Sequence, residues 1–375
     1  MRLPKHIPQL DVLRGVAVLA VMLYHAGDIF RPLHLRPISA NGYLGVDLFF
    51  VLSGFLITDV LLNTKDRPNY FWNFYARRAL RIWPLYYLLL VFTFAILPIV
   101  YPSFTGPIFR LSHPWQSYLF FAQNLFANAQ GAFVTLRVTW SLAVEEQFYL
   151  VWPVIVWLAP RRTLKLLSIA ALAFSVAVRW SGQNGGLFPP VNPYTNPLAR
   201  LDGLGLGAFL ALWIPDAQER VVRVAGAASF VTALPAALIV ARLRPGHCSF
   251  YALIAAAFAG LLCVAVTTPT LPGSGFLKFT GKISYCLYLV HVPVFTLLGS
   301  ALFSRTVFPS APALSASLLF AASVALCYGL AAASWRFYES KFLSLKSRFE
   351  SVRTIPAAQP LVPEWSETPA SESGM

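Results

Sequence analysis

The first long apolar run of the chain, Leu10 to Phe30, is long enough to cross a bilayer, yet it carries Arg14 and His25. An ionisable side chain in a spanning helix costs roughly 2.5–3.5 kcal/mol on insertion scales, so it is a functional hypothesis by default. The two residues are eleven positions apart. A helix therefore places them on almost the same face, about 16 Å apart along its axis. They form either a satisfied pair in the core or part of a polar path through the membrane, and two costly groups on one face favour the path.

The composition of the whole chain indicates an integral membrane protein. Of its 375 residues, 57% are hydrophobic and only 12% are charged, whereas about a quarter of a soluble domain is charged. Apolar runs of bilayer-crossing length predict an all-α polytopic membrane protein with ten transmembrane helices. The predicted spans are residues 10–30, 43–63, 84–102, 142–159, 164–181, 199–214, 224–241, 249–267, 279–303 and 312–335.

The distribution of positive charge predicts the orientation of the chain. The chain has 29 Lys and Arg against 15 Asp and Glu. In a membrane protein such an excess reports cytoplasmic loops and contact with anionic membrane lipids rather than binding of nucleic acid. With the N-terminus in the cytoplasm, 19 basic residues fall in inner segments and 9 in outer ones, so both termini are predicted to be cytoplasmic.

The end of the chain differs in composition from the rest. Residues 341–375 are rich in Pro, Ser and Glu, and they are predicted to be a disordered cytoplasmic tail that follows a membrane domain over 1–340. The four cysteines lie singly in or beside apolar segments. They show no metal-ligand spacing, so no metal site is predicted.

A basic and aromatic segment, YFWNFYARRALRIWPLYY, lies between the second and third predicted spans, with Pro84 opening the third. On a helix Arg77 and Arg81 share a face, and Arg78 lies beside them. Such arginines either extend toward lipid headgroups or form a clamp for a polyanionic ligand, since a guanidinium fork matches phosphate oxygens. A coenzyme A nucleotide and a lipid diphosphate both fit such a clamp.

Carboxyl groups lie near the outer ends of two predicted spans. Asp47 is in the second span, where the small Ser53 allows close helix packing. Glu145 and Glu146 are near the start of the fourth span, and Ser141 shares a helix face with Glu145. Adjacent helical residues point about 100° apart, so one glutamate faces the bundle while the other reaches the interface. The alternatives are an interfacial helix-end aspartate and two glutamates favoured by the helix dipole.

Two further groups of candidates lie in later spans. His291 follows Tyr285 and Tyr288 at three-residue steps in the ninth span, and it is either a structural histidine or a site residue. Arg200 and Asp202 stand together at the outer mouth of the sixth span, where a salt bridge between them is the favoured interpretation.

Depth along the helices, at about 1.5 Å per residue, predicts two layers of polar groups. The outer layer contains His25, Asp47, Glu145 and His291, and the inner layer contains Arg14 and the arginines of 77–81. Acid and base groups in the outer layer and cations in the inner layer suit a donor that enters from the cytoplasm and an acceptor that meets it from outside.

At these residues the chain resembles the membrane acyltransferase-3 family of bacterial integral-membrane O-acyltransferases. The similarity covers about residues 6–340 and rests on the motifs LDVLRGVAVLAVMLYH, GVDLFFVLSGFLI, FYARRALRIWPLYY, WSLAVEEQFYLVWP, ISYCLYLVH and SWRFYESKF, in that order. It implies ten helices in the bacterial cytoplasmic membrane and acyl-CoA as the donor, most often acetyl-CoA. The implied acceptor is a hydroxyl of an extracytoplasmic glycan or lipid-linked saccharide.

The resemblance also implies roles for the candidates. Arg14 and His25 would be the central pair, and Arg77, Arg78 and Arg81 would engage the coenzyme phosphates. Asp47, Glu145, Glu146 and His291 would line or support the site, and Ser53, Ser141, Arg200 and Asp202 are further candidates for supporting the substrate.

The chemistry expected of His25 is that of a general base. Acyl transfer to an alcohol needs a base for the hydroxyl proton, and histidine is the usual choice. Asp47 and Glu145 are the candidates for fixing its tautomer. Direct transfer and an acyl-His25 intermediate both stay open.

A transporter or flippase of lipid-linked sugars is the alternative function, because polar groups along spans also mark transport paths. The sequence shows no matching halves that would support it. A membrane scaffold is disfavoured by the number of ionisable groups within the spans.

Overall fold

Eleven helices of eight residues or more form the described part of the chain, in a computed structural model. The described residues are 4, 6–30, 33–35, 39–100, 115–126, 134–186, 192–269, 274–303 and 311–349. The helices are α1 (Pro8–Ile29), α2 (Gly45–Thr64), α3 (Tyr70–Val91), α4 (Trp140–Leu158), α5 (Arg161–Asn184), α6 (Leu201–Trp213), α7 (Glu219–Leu243), α8 (Phe250–Val266), α9 (Gly275–Lys282), α10 (Ser284–Phe303) and α11 (Pro312–Ser334). These residues include no strand, which confirms the prediction of an all-α protein.

Shorter helical pieces connect or extend these helices. The 3₁₀ turns are Gly42–Leu44, Val134–Thr139, Leu198–Arg200, Ile214–Asp216 and Leu345–Phe349, the π-helical turns are Phe92–Ile96 and Trp335–Glu339, and the short α-helices are Leu97–Val100, Gln116–Leu119, Gln123–Phe126 and Ser340–Ser344.

Seven helical stretches are long and apolar enough to cross a bilayer. An eighth candidate is the pair α9 and α10, which bends by 76° at Ile283. The helix α8 is apolar but has only 17 residues, and α4 has 19 residues that include two glutamates. The predicted ten spans thus correspond to seven clear spans, the bent pair α9–α10, the short helix α8 and the acidic helix α4.

The third helix begins earlier than predicted. It was expected to open at Pro84, but α3 begins at Tyr70 and includes Pro84 in its interior. The arginine-bearing segment continues into the span because one of its faces, with Tyr70 and Phe74, is buried against the bundle. Tyr338 Oη donates to the Pro84 carbonyl over 3.1 Å, which ties this part of α3 to the π-helical turn after α11.

Glycines allow the helices around the centre to pack closely. A Cβ atom at Gly54 of α2 would overlap the carbonyl oxygen of Leu204 on α6, and one at Gly207 of α6 would overlap that of Val51 on α2. The helices α1 and α9 meet in the same way through Gly281. Small residues at such crossings let backbones approach, which is a main source of helix association in membranes.

The helical part of the chain extends beyond the predicted membrane domain. It continues through Ser340–Ser344 and Leu345–Phe349, so residues 341–349 of the segment predicted to be a disordered tail are helical. The rest of that predicted tail, 350–375, lies outside the described residues.

Candidate active site

A cavity of about 260 Å³ lies between α1, α2, α3, α4 and α10. One end is basic, with Arg14, Arg78 and Arg81 in its wall. The other end is lined by Ser141 and Tyr288. The cavity therefore brings together motif residues from five separate parts of the chain.

The arginines at the basic end have different surroundings. Arg14 Nη1 lies 3.1 Å from Asp11 Oδ1, one turn earlier on α1. The guanidinium of Arg78 lies over the rings of Phe74 and Tyr149, at 5.8 and 6.0 Å from their centroids. Arg77 does not line the cavity, but it lines a small neighbouring pocket together with Arg78. Arg78 is thus shared by the two spaces.

The two adjacent glutamates of α4 point to different places. Glu145 lines the cavity and accepts hydrogen bonds from Ser53 Oγ at 2.9 Å and Tyr149 Oη at 3.0 Å. Glu146 is outside the lining, where its Oε2 accepts from the Trp83 indole at 3.2 Å. Glu145 is therefore the acid that faces the cavity.

The far end of the cavity carries a pair of hydroxyls. Ser141 Oγ and Tyr288 Oη are 2.7 Å apart, so one hydroxyl donates to the other. Both oxygens also lie within hydrogen-bond distance of the Val138 carbonyl oxygen, at 3.2 and 3.0 Å, and the hydroxyl that accepts in the pair is free to donate to it. The ring of Tyr288 lies 5.9 Å from the ring of His291, between centroids. The hydroxyl pair is therefore the part of the cavity next to the histidines.

His25 and His291 form a buried hydrogen-bonded pair across α1 and α10. His291 Nε2 lies 3.0 Å from His25 Nδ1, and the side chains are 0% and 7% exposed, in that order. His291 Nδ1 lies 3.0 Å from the Leu287 carbonyl oxygen, and His25 Nδ1 lies 3.0 Å from that of Val21. Neither histidine lines the cavity.

These contacts assign the protons of the pair when both rings are neutral. The Leu287 carbonyl only accepts, so His291 Nδ1 carries a proton, and His291 Nε2 is then an acceptor. The Val21 carbonyl beside His25 Nδ1 also only accepts, so His25 Nδ1 carries a proton that faces both Val21 and His291 Nε2, and the lone pair is on His25 Nε2. This assignment follows from the hydrogen-bond network. In this tautomer His25 Nε2 can accept a proton.

The partner of His25 differs from the one expected. Asp47 and Glu145 were the candidates for fixing its tautomer, but the hydrogen-bond partners of its ring within the described residues are His291 and the Val21 carbonyl. Glu145 is held by Ser53 and Tyr149 instead. A second base occupies the place where an acid was expected.

Asp47 belongs to a separate buried cluster of ion pairs. It pairs with Arg200, and Asp202 pairs with Arg179 Nη1 at 2.9 Å. All four residues are at most 2% exposed. The guanidinium of Arg200 also lies 4.2 Å from the ring centroid of Tyr251.

The predicted salt bridge between Arg200 and Asp202 is therefore wrong. Residues two apart at a helix start do not face each other, and each finds an opposite charge on another helix, Asp47 on α2 or Arg179 on α5. Arg179 is one of the nine basic residues in the predicted outer segments, and no partner is predicted for it from the sequence. Its position at the end of an apolar run is the same signal that singled out Arg14.

Other site residues were also missed or undervalued. Tyr149 and Tyr288 line the cavity beside the predicted acids and histidines. Arg137, on the 3₁₀ turn before α4, is an exposed cation whose charge acts on both His25 and His291. No sequence spacing links these residues to their partners, because only the folded bundle brings them together.

The comparisons with known proteins show the family of the chain. A family model described as an acyltransferase domain matches residues 7–332. The chain belongs to the acyltransferase-3 family. The motif residues that line the cavity of this acyltransferase-3 chain lie within the matched range.

Two of the curated relatives show how far the similarity extends. O-acetyltransferase OatA of Staphylococcus aureus is 30% identical over 337 residues, which cover 79% of this chain and 52% of the relative. Peptidoglycan O-acetyltransferase OatA of Listeria monocytogenes is 28% identical over 338 residues, which cover 78% of this chain and 50% of the relative. The acyltransferase-3 chain thus spans about half the length of these relatives. No solved structure matches it significantly.

Proposed function

We propose that the protein is a multi-pass enzyme of the bacterial cytoplasmic membrane that transfers an acyl group, acetyl in the first place, from cytoplasmic acyl-CoA to a glycan hydroxyl outside the cytoplasm. The observation that carries this proposal is one cavity with arginines at one end and, beyond the other, two hydrogen-bonded histidines. The name of the Listeria relative supports peptidoglycan, or a similar surface glycan, as the acceptor.

The basic end of the cavity suits the phosphates of the donor. Arg78 and Arg81 line it together with Arg14, and guanidinium groups bind phosphate oxygens through paired, charge-assisted hydrogen bonds. The remaining wall is largely apolar and leads toward Tyr288, which suits the long thioester arm of acyl-CoA. This arrangement supports acyl-CoA over a donor without phosphates.

The histidine pair suits the transfer step. His25 Nε2 takes the proton of the acceptor hydroxyl as its oxygen attacks the thioester carbon, and a tetrahedral intermediate forms. The intermediate breaks its C–S bond, the new C–O bond remains, and the proton passes from His25 to the leaving thiolate. His291 stabilises the proton on Nδ1 of His25 throughout, as the orienting partner does in other histidine-based acyl transfer.

The cavity must open further before this step. Its lining includes Phe49 and Tyr288, whose ring centroids are 6.0 Å apart, but neither histidine. A shift of the Tyr288 side chain lets the thioester reach His25, and binding of the donor arm supplies the contacts that favour such a shift.

The proposal includes ten transmembrane helices with both termini in the cytoplasm. The seven clear spans, the bent pair α9–α10, the short α8 and the acidic α4 together make ten crossings. Glutamates are tolerated in α4 because Glu145 faces the cavity, where Ser53 and Tyr149 satisfy it.

The test is replacement of His25 in the full chain, purified in detergent. Release of free coenzyme A thiol from acetyl-CoA is measured with and without peptidoglycan fragments. His25→Ala should abolish the glycan-dependent release, because it removes the Nε2 atom that accepts the proton of the hydroxyl. His247→Ala, which removes a histidine bonded to Ser249 in the connection between α7 and α8, is the matched control and should keep the rate. Full glycan-dependent release by His25→Ala contradicts the proposal.

A further inference from the structure

The last described segment of the chain, Leu345–Phe349, folds back onto the first part of α3. The ring of Phe349 lies 6.4 Å from that of Trp72, between centroids. Phe349 also lines the small pocket whose wall includes Arg77 and Arg78. The segment predicted to be a disordered tail thus begins as part of the wall beside the arginine cluster.

Lys346 lies in this segment and is half-buried. The charges that act most strongly on its ammonium group are those of Arg81, Arg78, Arg77 and Arg14, and all of them are positive. An ammonium group near the surface normally extends into water and away from like charges. Phe349, three residues further on, lines the pocket of Arg77 and Arg78 and contacts Trp72, so the packing of Leu345–Phe349 holds the Lys346 backbone on the side of α3 that carries these arginines.

The neighbouring basic residues behave differently. Arg348, in the same 3₁₀ turn, and Lys341, one turn earlier, are exposed. The turn therefore has one inward and one outward cation. The difference in exposure between Lys346 and Arg348 reflects which face the turn presents to α3.

The acids around the cluster leave an excess of positive charge. Asp11 is paired with Arg14, Glu145 and Glu146 face Arg78, and Glu339 faces Arg81. These four carboxyls are one fewer than the cations of the cluster. Five cations, including Lys346, act on one another's charges at this end of the protein. Such a cluster is stabilised by an anion that bears several charges, and phosphate groups are the matching chemistry.

We propose that Lys346 is a phosphate-binding residue that completes the site of Arg77, Arg78 and Arg81, and that the segment Leu345–Phe349 closes this site. The inference rests on the proposed function, in which the phosphates are those of the acyl-CoA donor. The headgroup of an anionic lipid carries the same chemistry, and the experiment separates the two sources.

The experiment uses the full chain in nanodiscs of phosphatidylcholine, with acetyl-CoA varied at a fixed glycan concentration. Lys346→Ala should raise the KM for acetyl-CoA roughly tenfold, the usual effect of losing one charge-assisted hydrogen bond, and leave kcat nearly unchanged. Lys346→Arg keeps the charge and should restore the KM. Arg348→Ala, which removes an exposed cation from the same turn, is the matched control and should change neither constant.

The same variants in nanodiscs that contain phosphatidylglycerol identify the source of the phosphate. An effect of Lys346→Ala that is present without anionic lipid assigns Lys346 to the donor, and an effect that appears only with it assigns Lys346 to a lipid headgroup. Equal KM values for Lys346→Ala and Arg348→Ala in both membranes overturn the inference. If Arg81→Ala raises the KM in that case, the proposed function stands without Lys346, whereas unchanged donor kinetics in Arg81→Ala would count against the donor site itself.

Discussion

At the scale of single residues, the pairing of two bases is what most distinguishes this site. A carboxylate beside His25 would favour the charged imidazolium, whereas His291 offers only a neutral acceptor nitrogen. His291 is itself oriented by the Leu287 carbonyl. The pair therefore fixes the tautomer of His25 without adding a negative charge to a buried site.

We predict that His291 acts as a positioning residue. His291→Ala should lower kcat by roughly tenfold to a hundredfold and leave the KM for acetyl-CoA unchanged, because it removes one of the two acceptors that orient His25 and leaves only the Val21 carbonyl. His291→Gln offers a carbonyl oxygen as a replacement acceptor and should be faster than His291→Ala. Steady-state kinetics on both variants measures the difference. A rise in KM with no loss of kcat would mean that His291 supports binding instead.

We also predict that Asp47 matters for stability in a way that an exposed aspartate does not. Asp47→Ala leaves Arg200 buried without its carboxylate, which costs about 3–5 kcal/mol for a pair of this kind. Asp216→Ala removes an exposed partner that lies 2.8 Å from Lys165, and it should cost only about 0–1 kcal/mol. Thermal unfolding of both variants in detergent compares them. A similar loss of stability in the two would show that the buried pair contributes little.

The sequence identified most of the residues of the site but few of their partners. Arg14 and His25 could be identified because charge in an apolar run is costly. In the structure Arg14 lines the cavity and His25 belongs to the histidine pair. The contact between His25 and His291 joins residues 266 positions apart, and the Arg200 partner is on another helix. Such contacts depend on helix rotation and crossing, which apolar composition does not encode.

At the scale of helices, close crossings at glycines position α2 and α6, and with them Asp47 and Arg200. We predict that Gly54→Ala destabilises the protein, because its Cβ would overlap the Leu204 backbone and the helices would have to separate. Gly329→Ala on α11 is the matched control, since its Cβ has no neighbour within 4 Å. The loss for Gly54→Ala should be roughly 1–3 kcal/mol, as for overpacked cores, with none for Gly329→Ala. Thermal unfolding in detergent measures both, and equal stability would mean that the α2–α6 crossing adjusts freely.

The helices also show where composition predicts poorly. The existence of the apolar segments could be predicted, because apolar length alone decides it. The start of α3 at Tyr70 and the bend at Ile283 could not, since both depend on neighbours. The close contact of Gly281 with the Asp11 backbone holds α9 against α1 and so directs the chain into α10 at an angle.

At the scale of the whole molecule, the two ends of the helical bundle meet on one side. Arg14 is near the start of α1, and Lys346 follows α11, yet the charge of Arg14 acts on Lys346. The arginines of α3 lie in the same cluster. A chain whose two ends share one side crosses the membrane an even number of times. This supports the proposed ten crossings over an odd number such as seven or nine.

We predict that this shared side is the cytoplasmic one, because the inner segments of that topology carry 19 basic residues against 9 outside. A reporter enzyme that is active only outside the cytoplasm should be inactive when fused after Lys341. The same reporter should be active when fused after Arg244, which follows α7 and lies on the outer side in this topology. Activity at Lys341 with none at Arg244 would invert the orientation and put the arginine cluster out of reach of cytoplasmic acyl-CoA. Activity at both positions would instead break the even count, because the three crossings of α8, the α9–α10 pair and α11 place residues 244 and 341 on opposite sides.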